Sequence, residues 1–229
     1  MWVFPLAAAI IAIAFAAVLG RRLLRRPNAA LVLWTIALLM YAAASFGMFL
    51  GSLTNWTPTE FRVYWLLGAA LNVPYLAQGE VYLLLPRRIG DVLFIALLFG
   101  TAFAVTKIAH APVHPETLRD QLPLGKDVFG AGSTAHGLPQ LYSIPAYVVL
   151  VAGALWSAWR MRGRPELRDR ALGTIGIAGG ATLVAIGSGI GAGFGYVWLF
   201  SAGLAAGIAV MFWGFLTTAA SSAHPERSD

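Results

Sequence analysis

The chain contains no cysteine, which excludes disulfides, thiolate metal sites and a cysteine nucleophile. Charge is also scarce: 11% of the residues are Asp, Glu, Lys or Arg, where a soluble globular domain carries about 25%. None of the four histidines falls in the core of an apolar run, so a bis-histidine membrane haem has no ligands. No HExxH is present, no Ser-His-Asp set can be proposed from residue order, and no strand or Lys-Ser/Thr accompanies the glycines as a phosphate loop requires. These gaps leave an enzyme without its usual groups, and the expectation is a non-enzyme with no cofactor and no metal. Lysine is nearly missing too, with 2 against 14 arginines, a balance that fits a GC-rich bacterial genome.

What fills the chain instead is apolar sequence, 59% of 229 residues. Several runs reach the length of about 18–20 residues needed to cross a bilayer. The reading is an all-α membrane protein of seven transmembrane helices, with spans at about 2–19, 29–50, 63–85, 92–108, 141–159, 171–190 and 196–217. A short polar tail, 221–229, follows. The first run is followed, not preceded, by Arg21, Arg22, Arg25 and Arg26. That order is the reverse of a secretory signal peptide and favours a retained span. The net charge of +6 comes from arginines in short loops, so it orients the chain in a membrane and does not recruit nucleic acid. With the N-terminus outside, 12 of the 16 basic residues lie in cytoplasmic segments, and the positive-inside rule selects N-out, C-in. The expected location is the inner (plasma) membrane, multi-pass, with anionic headgroups as partners of the cytoplasmic arginines and a protein partner or oligomer left open.

Two stretches resemble each other across the chain. Arg22 to Pro27 after span one is like Arg160 to Pro165 after span five, and Val63 to Leu71 is like Tyr196 to Leu204. Both pairs fit two parallel three-helix repeats joined by a linker helix. The competing explanation is that arginine loops and Trp-containing span starts look alike for topological reasons. Glu80 matches Trp213 in the second triplet, so a duplicated site has diverged.

The candidate site is in span three: Asn72, Pro74, Tyr75, Gln78 and Glu80. No other apolar run of that length contains a carboxylate. A charge at such depth costs a few kcal/mol, which makes Glu80 a functional candidate by default. Pro74, near mid-span, lacks an N–H and crowds the preceding turn, so the helix is expected to kink or open there. On an ideal helix Asn72 and Glu80 lie about 80° apart, with Leu76 between them, Tyr75 and Gly79 extending the face and Gln78 pointing elsewhere. Glu80 can be protonated and hydrogen-bonded, paired with Arg87 or Arg88, or in contact with water. Only the third is functional, as a proton or cation relay or a ligand contact.

Other features have plainer readings. Gly176/Gly180, Gly187/Gly191 and Gly203/Gly207 are small-residue spacings for close helix packing, within one chain or at a dimer interface. His110 and His114, near Glu116, Asp120, Asp127 and His136, have metal-ligand spacing only on a helix, which Pro112 and Pro115 oppose; a solvated loop is expected. The eight tryptophans read mostly as an interfacial belt, with Trp34 and Trp213 deep enough to line a pocket. Seven N-out spans resemble the retinal-binding rhodopsins in architecture, but the seventh span has no lysine to hold retinal. Small sugar transporters of the SWEET type are similar in length, orientation and parallel repeat, again in architecture alone. The function expected is movement of a small solute or ion, with Glu80 as substrate or coupling site. The alternative is a ligand-sensing or accessory subunit that docks a partner through its arginine loops.

Overall fold

The computed structural model describes residues 2–119, 122–192, 194 and 196–220; the expected tail at 221–229 and Asp120 lie outside them. Nine α-helices occur among the described residues: α1 (Val3–Arg25), α2 (Ala29–Thr54), α3 (Pro58–Tyr64), α4 (Asn72–Leu84), α5 (Arg87–Ala109), α6 (Gly125–Phe129), α7 (Thr134–Met161), α8 (Arg168–Ile186) and α9 (Val197–Ala220). A π-helical segment, Trp65–Leu71, joins α3 to α4, and a second, Gly187–Ala192, extends α8. Six helices are long and apolar enough to cross a membrane: α1, α2, α5, α7, α8 with its extension, and α9. Their outward surfaces carry large apolar side chains such as Phe99 and Leu141, 74% and 67% exposed. Exposed apolar surface of this extent on helices of membrane-spanning length points to a lipid environment.

Local sequence sets the boundaries. Asn28 caps α2, its side chain accepting from the Ala30 amide at 2.8 Å. Thr57 and Glu60 form a capping box at the start of α3, with Pro58 in the first turn, where its missing N–H costs nothing. Pro86 ends α4 and starts α5.

Six helices pack in a ring in the order α1, α2, α4, α7, α8, α9 and back to α1. The tightest seam joins α8 to α9 through glycines. A Cβ on Gly180 would come within 2.5 Å of the Gly207 carbonyl, and one on Gly187 within 3.0 Å of the Gly203 Cα. Gly176 faces Gly214, and Gly191 faces the backbone of Phe200. All six glycines singled out by spacing thus lie on contacts within the chain. By contrast, α5 sits outside the ring against α4 and α7, with Gly90, Ala104 and Ile108 its buried residues.

The long connection after α5 differs from the solvated loop expected of it. Leu118, Leu122, Val128 and Phe129 are buried, and Phe129 packs on Phe61 and Trp65 with ring centroids 5.5 and 6.1 Å apart. Backbone bonds from Trp56 to Leu118 (3.2 Å) and from His114 to Val128 (2.9 Å) stitch it down. The apolar residues scattered through the segment cover the aromatic end of the bundle, which a reading weighted to its Pro, Gly and charge content misses. Trp56 and Trp65 belong to this cluster and not to a lipid belt. His114 pairs with Glu116 at 3.5 Å, and His110 Nδ1 lies 2.9 Å from the Thr106 carbonyl.

Candidate functional site

The site begins with the proline. The Asn72 amide bonds the Leu67 carbonyl, five residues back, which is π-helical register. In that register Pro74 should serve the Ala69 carbonyl, but proline has no N–H to give. The Ser143 hydroxyl of α7 supplies the bond instead, donating to the Ala69 carbonyl at 2.7 Å. The expected disturbance at Pro74 is therefore a widened helix whose freed acceptor is satisfied by a neighbour.

The polar side chains around Pro74 divide into two kinds. Asn72 donates to the Ala37 carbonyl of α2 at 3.0 Å, and Gln78 donates to the Gly90 carbonyl of α5 at 2.8 Å. The Tyr75 and Thr101 hydroxyls lie 3.3 Å apart, tying α4 to α5. These three residues fasten α4 to the helices beside it. Glu80 is different. It is buried, 8% exposed, and among the described residues no hydrogen bond or ion pair reaches its carboxylate. The pairing with Arg87 or Arg88 considered from the sequence does not occur among the described residues. Arg87 reaches Asp91 at 4.0 Å, one turn along its own helix, and both side chains are exposed.

Glu80 faces a cavity at the centre of the ring. Phe15 and Leu19 come from α1, Trp34 and Leu38 from α2, and Leu76 and Glu80 from α4. The other half is Leu150 and Ala154 of α7, Thr174 and Ile177 of α8, and Met211 and Phe215 of α9. Each ring helix thus gives two residues, one helical turn apart. The space open to the centre of a water molecule is about 50 Å³, enough for water to enter. The lining residues lie nearest the helix ends that carry Arg21 to Arg26 and Arg160 to Arg170.

Two neighbours pack closely against this part of α4. The Trp34 indole packs against Gly79 and donates to the Leu76 carbonyl at 3.0 Å, the acceptor one turn below Glu80. On the adjacent helix α7, Gly153 leaves the space that Glu80 occupies: a Cβ there would lie 2.8 Å from Glu80 Cγ and 2.7 Å from Leu84 Cδ1. Thr174 donates to the Arg170 carbonyl at 2.8 Å. The Arg22 guanidinium carbon lies 4.7 Å from the centroid of the Phe215 ring.

Of the five site residues expected in this stretch, Glu80 alone lines the cavity. Pro74 shapes the helix that carries it, and Asn72, Tyr75 and Gln78 hold that helix in place. Trp34 lines the cavity as its depth suggested, whereas Trp213 is 55% exposed. Sequence reasoning missed Phe15, Ser143, Gly153 and Thr174. Gly153, a lone glycine within an apolar run, carried the one usable signal, a close approach of another group. No family model, no curated protein and no solved structure matches the chain.

Proposed function

We propose that the chain is a small-solute or ion transporter of the plasma membrane, with Glu80 as its substrate or proton/cation coupling site. The observation that carries this reading is a buried carboxylate, without an ion-pair partner among the described residues, beside a cavity to which six helices contribute. Removing a charge from water without a partner costs several kcal/mol, so a carboxylate kept there needs a role that a leucine would not fill. Binding and releasing a cation or proton is such a role. In this reading the helical stretch 58–84 is a seventh span: its 27 residues extend about 40 Å at helical rise. The chain then runs N-out, C-in, and α5 is the linker between one triplet (α1, α2 and the 58–84 stretch) and a second (α7, α8, α9). The ring order supports that division, because each triplet forms one contiguous half of the ring. Movement of the halves against each other would expose the cavity to the two sides in turn.

The test is flux into proteoliposomes containing a trapped pH dye, challenged with a panel of small cations, sugars and amino acids. Wild type is expected to give a solute-dependent pH signal that Glu80→Gln abolishes. An unchanged signal in the variant would remove Glu80 from the coupling step. No signal with any solute would count against proton-coupled transport.

A second reading draws on the loop between α7 and α8. Arg160, Arg162, Arg164, Arg168 and Arg170 are all exposed, and no ion pair holds them among the described residues. This supports docking of an acidic partner or anionic lipid. Copurification from native membranes, with and without these arginines, decides it: a partner lost with them favours an accessory or sensing subunit.

A further inference from the structure

The chemistry of the cavity narrows what could occupy it. A polar neutral solute such as a sugar needs several converging donors and acceptors, yet most of the lining is apolar. An anion would meet a carboxylate, and the two protein donors nearest it are already committed, Trp34 Nε1 to Leu76 and the Thr174 hydroxyl to Arg170. A hard metal cation asks for about six oxygen ligands, and the lining offers the Glu80 carboxylate and the Thr174 hydroxyl. What the lining does supply is one negative charge and aromatic surface. Phe15, Trp34 and Phe215 are on three different helices around Glu80, and Phe15 and Phe215 touch with centroids 5.2 Å apart. One face of Phe215 is covered by the Arg22 guanidinium, an instance within this protein of a cation held on an aromatic ring. Apolar cations with diffuse charge are held by such surfaces, with a carboxylate to balance the charge.

We infer that the cavity beside Glu80 takes a small hydrophobic organic cation of the quaternary-ammonium kind, held between the Glu80 carboxylate and the aromatic rings that line the same space. This rests on the transporter reading only in treating the cavity as a solute site. The cation's methyl groups replace water against Leu76, Leu150 and Ile177, and its charge needs no directional hydrogen bonds. That suits a wall with few polar atoms.

Binding of radiolabelled tetramethylammonium to the purified protein in lipid nanodiscs tests the inference. Saturable binding is expected, weakened at least about tenfold by Glu80→Gln, which removes one partner of a buried charge pair. Glu80→Asp, which keeps the charge, retains it. Phe15→Leu weakens it about two- to thirtyfold, the range of one cation–π contact. Choline should compete, and 3,3-dimethylbutan-1-ol, its uncharged isostere, should not. Monodisperse elution and a helical spectrum establish that each variant is folded. Absence of saturable binding, equal binding in Glu80→Gln, or competition by the alcohol matching that of choline would overturn the inference. The proteoliposome panel separates the two claims. Glu80-dependent flux confined to sugars or amino acids overturns the organic cation and leaves the transporter. Glu80-dependent tetramethylammonium binding without flux of any solute supports the site and removes the transporter.

Discussion

At the residue scale, Ser143 is the side chain that answers the distortion at Pro74. Its hydroxyl completes the Ala69 carbonyl at 2.7 Å, the acceptor that Pro74 leaves open. Ser143→Ala should cost about 0.5–1.5 kcal/mol, the net worth of one part-buried hydrogen bond, read as a lower unfolding midpoint in denaturant titration followed by circular dichroism. The same substitution made in a Pro74→Ala background should cost less, because the restored amide at position 74 can serve the freed carbonyls of that turn. A double-mutant cycle measures this coupling directly. Equal costs in the two backgrounds would mean that Ser143 is not answering the proline. Neither partner signals the other in the sequence, since they are 69 positions apart and a serine in an apolar run has many uses. Pro74 and Glu80, by contrast, stand out from the sequence, because each is costly inside an apolar helix and needs a reason to be there.

At the element scale, the seam between α8 and α9 depends on backbone approaching backbone. A Cβ at Gly207 would lie 2.7 Å from the Gly180 carbonyl and 3.0 Å from the Val184 amide nitrogen. Neither atom can turn aside as a side-chain tip could. Gly207→Leu should therefore force the helices apart, at a cost of about 3 kcal/mol or more in overpacking, and lower the yield of folded protein. Gly179 is the internal control, with nothing within 4 Å of a Cβ built there. Gly179→Ala should leave stability unchanged or raise it by about 0.5–1 kcal/mol, the helix-interior difference between the two residues. Thermal unfolding of both variants measures the contrast, and similar losses in the two would mean that close approach is not the glycines' role. The Gly-xxx-Gly spacing made such contacts an expectation before any geometry was known. Which helix each glycine would meet was not legible, because spacing marks a face and not its partner. The folded connection over the aromatic end was hidden for a related reason. Its apolar residues have no helical or strand period, so composition alone suggested loop. Of the seven spans expected from hydropathy, six are long apolar helices among the described residues, whereas the placement of α5 outside the ring was not legible. A hydrophobic run reads the same whether neighbouring helices or lipid will cover it.

At the scale of the whole molecule, the claim most open to direct measurement is the path of the chain through the bilayer. The lack of native cysteine makes single-cysteine labelling clean, and three exposed positions suffice: Pro27, Glu116 and Glu166. From Pro27 to Glu116 the chain passes through α2, the interrupted 58–84 stretch and α5; from Glu116 to Glu166 the one helix of membrane-spanning length is α7. If the interrupted stretch crosses, Pro27 and Glu116 are separated by three spans and face opposite sides. If it does not, two spans separate them and they share a side. A membrane-impermeant maleimide applied to intact cells should label Glu116→Cys and leave Pro27→Cys and Glu166→Cys unlabelled until the membrane is opened. Pro27→Cys and Glu116→Cys behaving alike would remove the seventh span, and with it the placing of Glu80 inside the membrane. The opposite labelling pattern would keep seven spans and invert the orientation that the arginines favour. In the expected pattern the cavity lies in the cytoplasmic half of the bundle, and the aromatic cluster formed by Trp56, Phe61, Trp65 and Phe129 closes the outer end. A solute moving through the protein would then have to displace that cluster, or part the two halves of the ring beneath it, before leaving on the far side.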